Sequence, residues 1–226
     1  MSSTPSSSRP KRPADSPDVK LSKSLSYILR HGAVKEKVPM RADGYICLKA
    51  LKSHNKFRNA KNEDIARVVR ENSKQRFTLT YKPDDPSVEQ PEFTSASVLE
   101  DWFIRANQGH SLTTVEVELT PLLKTEDFPE NVIHGTSRSA WEKIQASNAL
   151  SKMNRNHIHM APGKLGDEGV ISGMRASSDV YIYIDYEKAL ADGIKFFKST
   201  NGVILSPGNE KGEIPLEYVA RTQILK

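Results

Sequence analysis

The sequence predicts an α+β protein in two parts, with helices and a strand pair first and short strands afterwards. Leu21, Leu25, Ile28 and Leu29 fall at i, i+4, i+7 and i+8, the spacing of one helical face. Phe77-Thr78-Leu79-Thr80-Tyr81 alternates as a half-buried strand does. Past a boundary at residues 108–120 the chain changes character. Short β-rich segments, several of them separated by Gly, Pro, Asn and Asp, take over from the helices.

In order along the chain, residues 1–19 are rich in Ser, Pro and charge and lack the apolar content that offsets chain entropy, so they are expected to be disordered. Within them, Arg9-Pro10-Lys11-Arg12-Pro13 reads either as a short nuclear address or as a merely basic tail. The first helix is expected to start near Asp18, with Gly32 as its C-cap, which puts Arg30 and His31 at a helix C-terminus. Asp43-Gly44 reads as a tight turn leading into a short apolar segment, residues 45–48. A second helix is expected over residues 62–72, with Ile65, Val68 and Val69 inward and Asn62 as its cap. The strand at 77–81 is followed by a Pro-rich irregular insert over 83–98 and a returning strand at 102–105. Helices followed by a strand pair describe a winged-helix-like module, an analogy at the level of fold only. Val115, Val117 and Leu119 alternate until Pro121 breaks the pattern. Beyond it, strands are expected at 132–134, 158–160, 180–184 and 203–205, with helices at 137–147 and 187–191.

Composition narrows the partners. The 226 residues carry a net charge of +5, which favours a polyanionic partner over a cationic one. Four Lys/Arg against two Asp give residues 1–20 a charge of +2, so the other +3 lies outside the tail. Cys47 is the sole cysteine, which rules out an internal disulfide and a multi-cysteine zinc finger and fits a reducing compartment. No apolar run approaches the roughly 20 residues that span a bilayer, and there is no signal-peptide core. The expectation is an intracellular protein, in the nucleus and/or cytoplasm, with no membrane contact and monomeric.

The residues that carry chemistry are arginines and histidines. Arg30 and His31, Arg76, His134-Gly135-Thr136, Arg155 to His159, and Arg175 after the small Ser172-Gly173 turn recur along the chain. Arginine is always charged and presents a planar fork of donors that fits phosphate oxygens. His134, Gly135 and Thr136 put an imidazole, an unhindered backbone and a hydroxyl in three residues, which suits a ribose and an amide-bearing ring. His157 and His159 would share a strand face, but no carboxylate or cysteine nearby completes a metal set, so no metal is expected. Taken singly, each of these also has a bland reading: a helix-terminal pair, a solvated edge charge, a chance turn, a core histidine.

Together with their flanks, these segments resemble the NAD-dependent RNA 2′-phosphotransferases of the KptA type, in a eukaryotic or fungal-like form. The resemblance covers roughly residues 20–225 and rests on LSxxLSYILRHG, DGY, SKQRF, HGT, MNRNHIHMAPG, ISGMRxxxxVYIYID and NGVIL in order. It implies a bilobal chain: a winged-helix-like RNA lobe at 20–112 and an ADP-ribosyltransferase-like lobe at 113–226, similar to poly(ADP-ribose) polymerases and diphtheria toxin. It implies Arg30, His31, Arg76 and Arg175 as the essential quartet. His134, Gly135 and Thr136 are implied as NAD contacts, with His159 and Val203 in the places of the tyrosine and glutamate of the His–Tyr–Glu triad. Between His157 and His159, motif alignment favours His159 as the one facing NAD. The implied reaction removes an internal 2′-phosphate from spliced tRNA, with NAD as co-substrate, through an ADP-ribosylated 2′-phosphate. Its products are a 2′-OH, nicotinamide and ADP-ribose 1″,2″-cyclic phosphate. The rival expectations are ADP-ribosylation of terminal nucleic-acid phosphates without phosphate release, and a non-catalytic RNA-binding protein.

Overall fold

The computed structural model describes residues 14–85 and 87–225, so the basic run Arg9 to Pro13 lies outside them. Helix α1 spans Pro17–Tyr27. Ser16 caps it, its hydroxyl accepting from the Val19 N–H at 3.3 Å, and proline suits the first helical position. The helix therefore begins within the segment expected to be disordered, one residue before Asp18. Asp18 in its first turn pairs with Arg67 of the next long helix at 2.8 Å.

The end of α1 differs from expectation. The chain continues right-handed through a π-helical turn, Ile28–Gly32, into Ala33 (φ −52°), so Gly32 is no left-handed cap. A Cβ on Gly32 would stand 2.6 Å from the Tyr27 ring, and this packing is what requires a glycine there. A π turn widens the helix locally and is common at functional positions. This one carries Arg30 and His31.

Strand β1 (Ile46–Cys47) follows the Asp43-Gly44 turn, where Gly44 has φ +82°, and leads into α2 (Leu48–Ser53), a helix the sequence did not announce. Helix α3 is Asn62–Arg70. Its N-cap is Lys61 rather than Asn62. Asn62 is buried and joins the α2 end to the insert, accepting from Lys52 Nζ (2.8 Å) and donating to the Thr94 carbonyl (3.1 Å). Strands β2 (Phe77–Tyr81) and β3 (Trp102–Ala106) pair antiparallel, with β1 on the far side of β3. Leu25, Ile28, Leu29, Ile46, Leu51, Ile65, Phe77 and Ile104 belong to the core that these elements share.

The second half contains β4 (Thr120–Leu122), β5 (Ile133–Thr136), α4 (Arg138–Ser147), β6 (Ala149–Ser151), β7 (Ile158–Met160), β8 (Val180–Ile184), α5 (Tyr186–Ala191), β9 (Phe196–Lys198), β10 (Ile204–Ser206), β11 (Glu213–Pro215) and β12 (Val219–Ile224). Two antiparallel sheets dominate, in the orders β4-β9-β10-β7 and β12-β8-β5. Pro121 sits inside β4, at the edge of its sheet, where a missing N–H is tolerated. The two sheets join where Ile133 and Ala161 exchange backbone hydrogen bonds of 2.9 and 2.8 Å. His134 lies one residue beyond that junction on β5, and His159 two residues before it on β7. Ile158, Met160, Ile182, Phe196 and Ile204 fill the space between the sheets. No helix among the described residues is long and apolar enough to cross a membrane.

Candidate functional site: an arginine cluster between two cores

On the first core, Arg30 projects from the π turn against the connecting segment after β3. The Arg30 carbonyl accepts from the Ser111 N–H (3.0 Å), and the Ser111 hydroxyl meets His31 Nδ1 at 2.9 Å. Gly109 takes φ +89°, which favours glycine, and the Arg30 side chain lies in ordinary contact, 3.5 Å from where a Cβ would stand. Arg76 is tied down from both ends of its residue. Asn72 Oδ1 accepts from its backbone N–H (3.2 Å) and from Nη1 (3.1 Å), and its carbonyl accepts from the Asn107 N–H (2.9 Å). Asn107 also donates to the Gln75 carbonyl and accepts from the Thr78 hydroxyl at 2.6 Å. These residues fix the turn that presents Arg76.

On the second core, His134 Nδ1 lies 2.9 Å from the His159 carbonyl. A carbonyl only accepts, so the proton of His134 sits on Nδ1 and Nε2 is left as an acceptor. Arg155 Nη1 stands 3.5 Å from Nδ1 of His159. His157 turns elsewhere, its ring edge-on to Phe197 at 6.2 Å. Val203 is fully buried just before β10, its N–H bonded to the Ser199 hydroxyl at 3.0 Å.

Two glycines serve packing where the sequence suggested access for a ligand. A Cβ on Gly135 would lie 2.7 Å from Met174 Cβ and 2.9 Å from the Ser178 hydroxyl, so the loop carrying Arg175 leans directly on the β5 backbone. Gly173, at φ +109°, brings the same loop onto Ala161, whose Cα would be 2.6 Å from an added Cβ. Both contacts fix the base of Arg175 against β5 and the end of β7.

Several hydrogen bonds link the cores, among them two from Asn156 Nδ2 to the Leu112 and Val115 carbonyls (3.1 and 3.4 Å). Lys74 Nζ donates to the Met174 carbonyl (2.9 Å), Asn201 Nδ2 donates to the Lys74 carbonyl (2.9 Å), and the Asn156 N–H donates to the His110 carbonyl (3.0 Å). The arginines of the two cores are consequently close enough to act on one another. Burial, reinforced by Arg76 and Arg155, lowers the Arg30 guanidinium to about 10. Burial lowers His31 as well, with Arg30 and Arg155 adding to it. His134 is lowered by burial and Arg155, against its bond to the His159 carbonyl, and His159 is held well below its ordinary range by burial and then Arg155. Arg155 is itself lowered, first by burial and then by Arg175.

Arg155 therefore stands among groups from both cores. Its motif in the sequence assigns it no role, and nothing local in the sequence marks Ser111, Asn72, Asn107, Lys74 or Asn201 as supports. Among the described residues, Arg30, Arg76, Arg155 and Arg175 have no carboxylate partner, whereas Arg41, Arg67, Arg70 and Arg105 have at least one; Arg58, Arg138 and Arg221 also lack one, but are engaged by Asn55, the Leu225 carbonyl and the Tyr183 ring. Arg30 Nε and Nη2 and His159 Nε2 are buried with no partner at all. Unpaired buried donors are costly, and a phosphate oxygen or ribose hydroxyl satisfies them. A cleft of about 490 Å³ elsewhere, bordered by Tyr45, Tyr81 and Arg105, contains none of the expected site residues. No group of three or more His, Cys, Asp or Glu among the described residues is placed to hold a metal ion.

Guanidinium groups free of carboxylates, converging from two cores, define a phosphate-handling protein. Residues 16–208 match the family described as RNA 2′-phosphotransferase, Tpt1 / KptA family, and the chain belongs to that family of transferases. It is 45% identical to tRNA 2′-phosphotransferase 1 of Danio rerio over 219 residues, which cover 96% of this chain and 91% of the relative. With tRNA 2′-phosphotransferase 1 of Bos taurus it shares 50% over 201 residues, 89% of this chain and 73% of the relative. With tRNA 2′-phosphotransferase of Saccharomyces cerevisiae it shares 42% over 216 residues, 93% of this chain and 85% of the relative.

Proposed function

We propose that this protein removes the splice-junction 2′-phosphate of tRNA, using NAD as co-substrate, inside the cell in the nucleus and/or cytoplasm. The observation that carries the reading is the cluster of Arg30, Arg76, Arg155 and Arg175 without carboxylate partners, beside the His134–His159 pair. The helix–strand arrangement of the first half supports a winged-helix-like RNA lobe, and the paired sheets of the second support an ADP-ribosyltransferase-like lobe.

In the first step, Arg30, Arg76 and Arg175 align the 2′-phosphate so that one of its oxygens attacks C1″ of the nicotinamide ribose. The bond to nicotinamide breaks, and nicotinamide departs with the electron pair. His134, Gly135, Thr136, His159 and Val203 border the NAD side, where the two imidazoles are neutral at pH 7 and serve as hydrogen-bonding groups. In the second step, the ribose 2″-OH attacks phosphorus and the bond to the RNA 2′-oxygen breaks. The 2″-OH proton ends on that oxygen, and the guanidinium groups stabilise the charge that gathers on the phosphoryl oxygens. His31 is the group suited to carry this proton, because its depressed pKa leaves it neutral and able to accept.

Incubation with NAD and a short RNA bearing one internal 2′-phosphate, followed by mass analysis of all products, tests the proposal. Release of nicotinamide and ADP-ribose 1″,2″-cyclic phosphate with a 2′-OH RNA supports it. A stable ADP-ribosylated RNA would replace it with phosphate modification without release, and unchanged RNA from folded protein with a binding role.

A further inference from the structure

The two imidazoles of the site differ in what they offer, and Arg155 is the reason. His134 Nδ1–H donates to the His159 carbonyl, so its Nε2 is an acceptor. Nδ1 of His159 faces Nη1 of Arg155 at 3.5 Å, and its Nε2 is buried with no protein partner. A guanidinium has donors and no lone pair to offer, so beside it Nδ1 is the acceptor and the ring proton belongs on Nε2. The unpartnered Nε2 is then a buried donor lacking an acceptor, a group whose pairing a ligand would supply.

We infer that Arg155 is a positioning residue that fixes His159 as its Nε2–H tautomer, so that the site carries a ring-nitrogen donor on His159 and a ring-nitrogen acceptor on His134, whose Nδ1 is tied to the His159 backbone. Such a complementary pair suits a ligand carrying a hydroxyl or amide able both to donate and to accept. Under the proposed function this is the ribose or carboxamide end of NAD, and that clause alone rests on the preceding section. The His157 carbonyl, which favours a proton on the ring, is the other group that acts on it and the one Arg155 competes with. Of the described side chains only Arg155 contacts Nδ1, and Arg155 has no carboxylate partner to draw it away. Its backbone is secured separately, by the bond from its N–H to the Lys152 carbonyl at 3.1 Å, and the side chain belongs to none of the hydrophobic cores. Truncation at this position therefore leaves the fold in place.

The test is nitrogen NMR of the ligand-free full chain labelled with ¹⁵N-histidine, with His159 assigned by loss of its signals in His159→Gln. Wild type should show an unprotonated Nδ1 and a protonated Nε2. Arg155→Ala should give a mixed or reversed pattern, and Arg155→Lys should restore it, since lysine also only donates. In parallel, Arg155→Ala should raise the KM for NAD about ten- to hundredfold, the loss of one charge-assisted hydrogen bond, while the KM for RNA changes less than about twofold. An unaltered His159 tautomer in Arg155→Ala overturns the inference whatever the kinetics show. A tautomer that moves in a protein that does not use NAD sinks the NAD reading and leaves the role of Arg155 intact.

Discussion

Replacing Arg30 with methionine should make the ligand-free protein more stable while abolishing its chemistry. The buried guanidinium faces Arg76 and Arg155, has no carboxylate partner, and leaves Nε and Nη2 unsatisfied. Its fall to about 10 corresponds to roughly 3 kcal/mol of penalty on the charged form. The folded-state pKa lies below the unfolded one, so the penalty is fully present at neutral pH, where the group is charged in both states. It is relieved only as pH rises through about 10. Loss of the hydrocarbon and guanidinium contacts offsets part of the gain, leaving about 1–2 kcal/mol, or about 2–8 °C in Tm for a chain of this size. Thermal melts of Arg30→Met and wild type, with and without saturating inorganic phosphate, provide the assay. Wild type should melt lower without phosphate and gain stability with it, and the variant should start higher and respond less. A variant that melts below wild type and keeps the full phosphate response would refute the idea that Arg30 is held unpaired for an anion.

Three other outcomes are expected. Arg76→Lys and Arg175→Lys should each lower turnover by roughly 10²–10³, because an ammonium cannot reproduce the bidentate fork; near-normal turnover in either would count against a guanidinium clamp. Gly135→Ala should cost about 1–3 kcal/mol in denaturant titration, since its Cβ would stand 2.7 Å from Met174 Cβ, and Met174→Ala in the same chain, which keeps that Cβ and removes only the Sδ contact at 3.0 Å, should leave most of the loss in place. The kcat of phosphate release should be level between about pH 7 and 8 and fall only below about 6.5, because burial and then Arg30 and Arg155 depress His31 below its usual value; an acid limb above pH 7 would remove His31 from the proton path.

Arg30, His31, Arg76 and Arg175 were singled out by residue type and flanking motif, and the structure sets Arg30 and Arg175 within electrostatic reach of Arg155, and Arg76 within reach of Arg30. Arg155 was not singled out, because a solvated arginine and one aimed at a histidine look alike until β7 is placed. The supports were invisible for a different reason. Asn201 and Lys74 meet across 127 residues, and His31 and Ser111 across 80, so no local pattern announces them. The helices α1, α3 and α4 and the strands β2, β3 and β8 were legible in the sequence, whereas β12, the longest strand, was not, because its Val219–Ile224 run is mostly exposed and mixes polar with apolar residues, and α2, β9 and β11 carry too few residues to show a period. Gly32 misled because glycine after an apolar stripe is the usual mark of a left-handed cap, and here the Tyr27 ring demanded the same residue.

The fastening at Lys74 has a consequence for the life of the chain. Its ammonium holds the loop before Arg175, and its carbonyl holds the loop before Val203, so one residue of the first core ties two loops of the second to it. Neither core owns a complete phosphate grip. Under the proposed chemistry, a nascent chain that has folded its first core, or a nicked fragment that keeps only the second, would be chemically silent rather than partly competent. Assembly is thus a condition of function, and under the proposed chemistry a half-made molecule spends no dinucleotide.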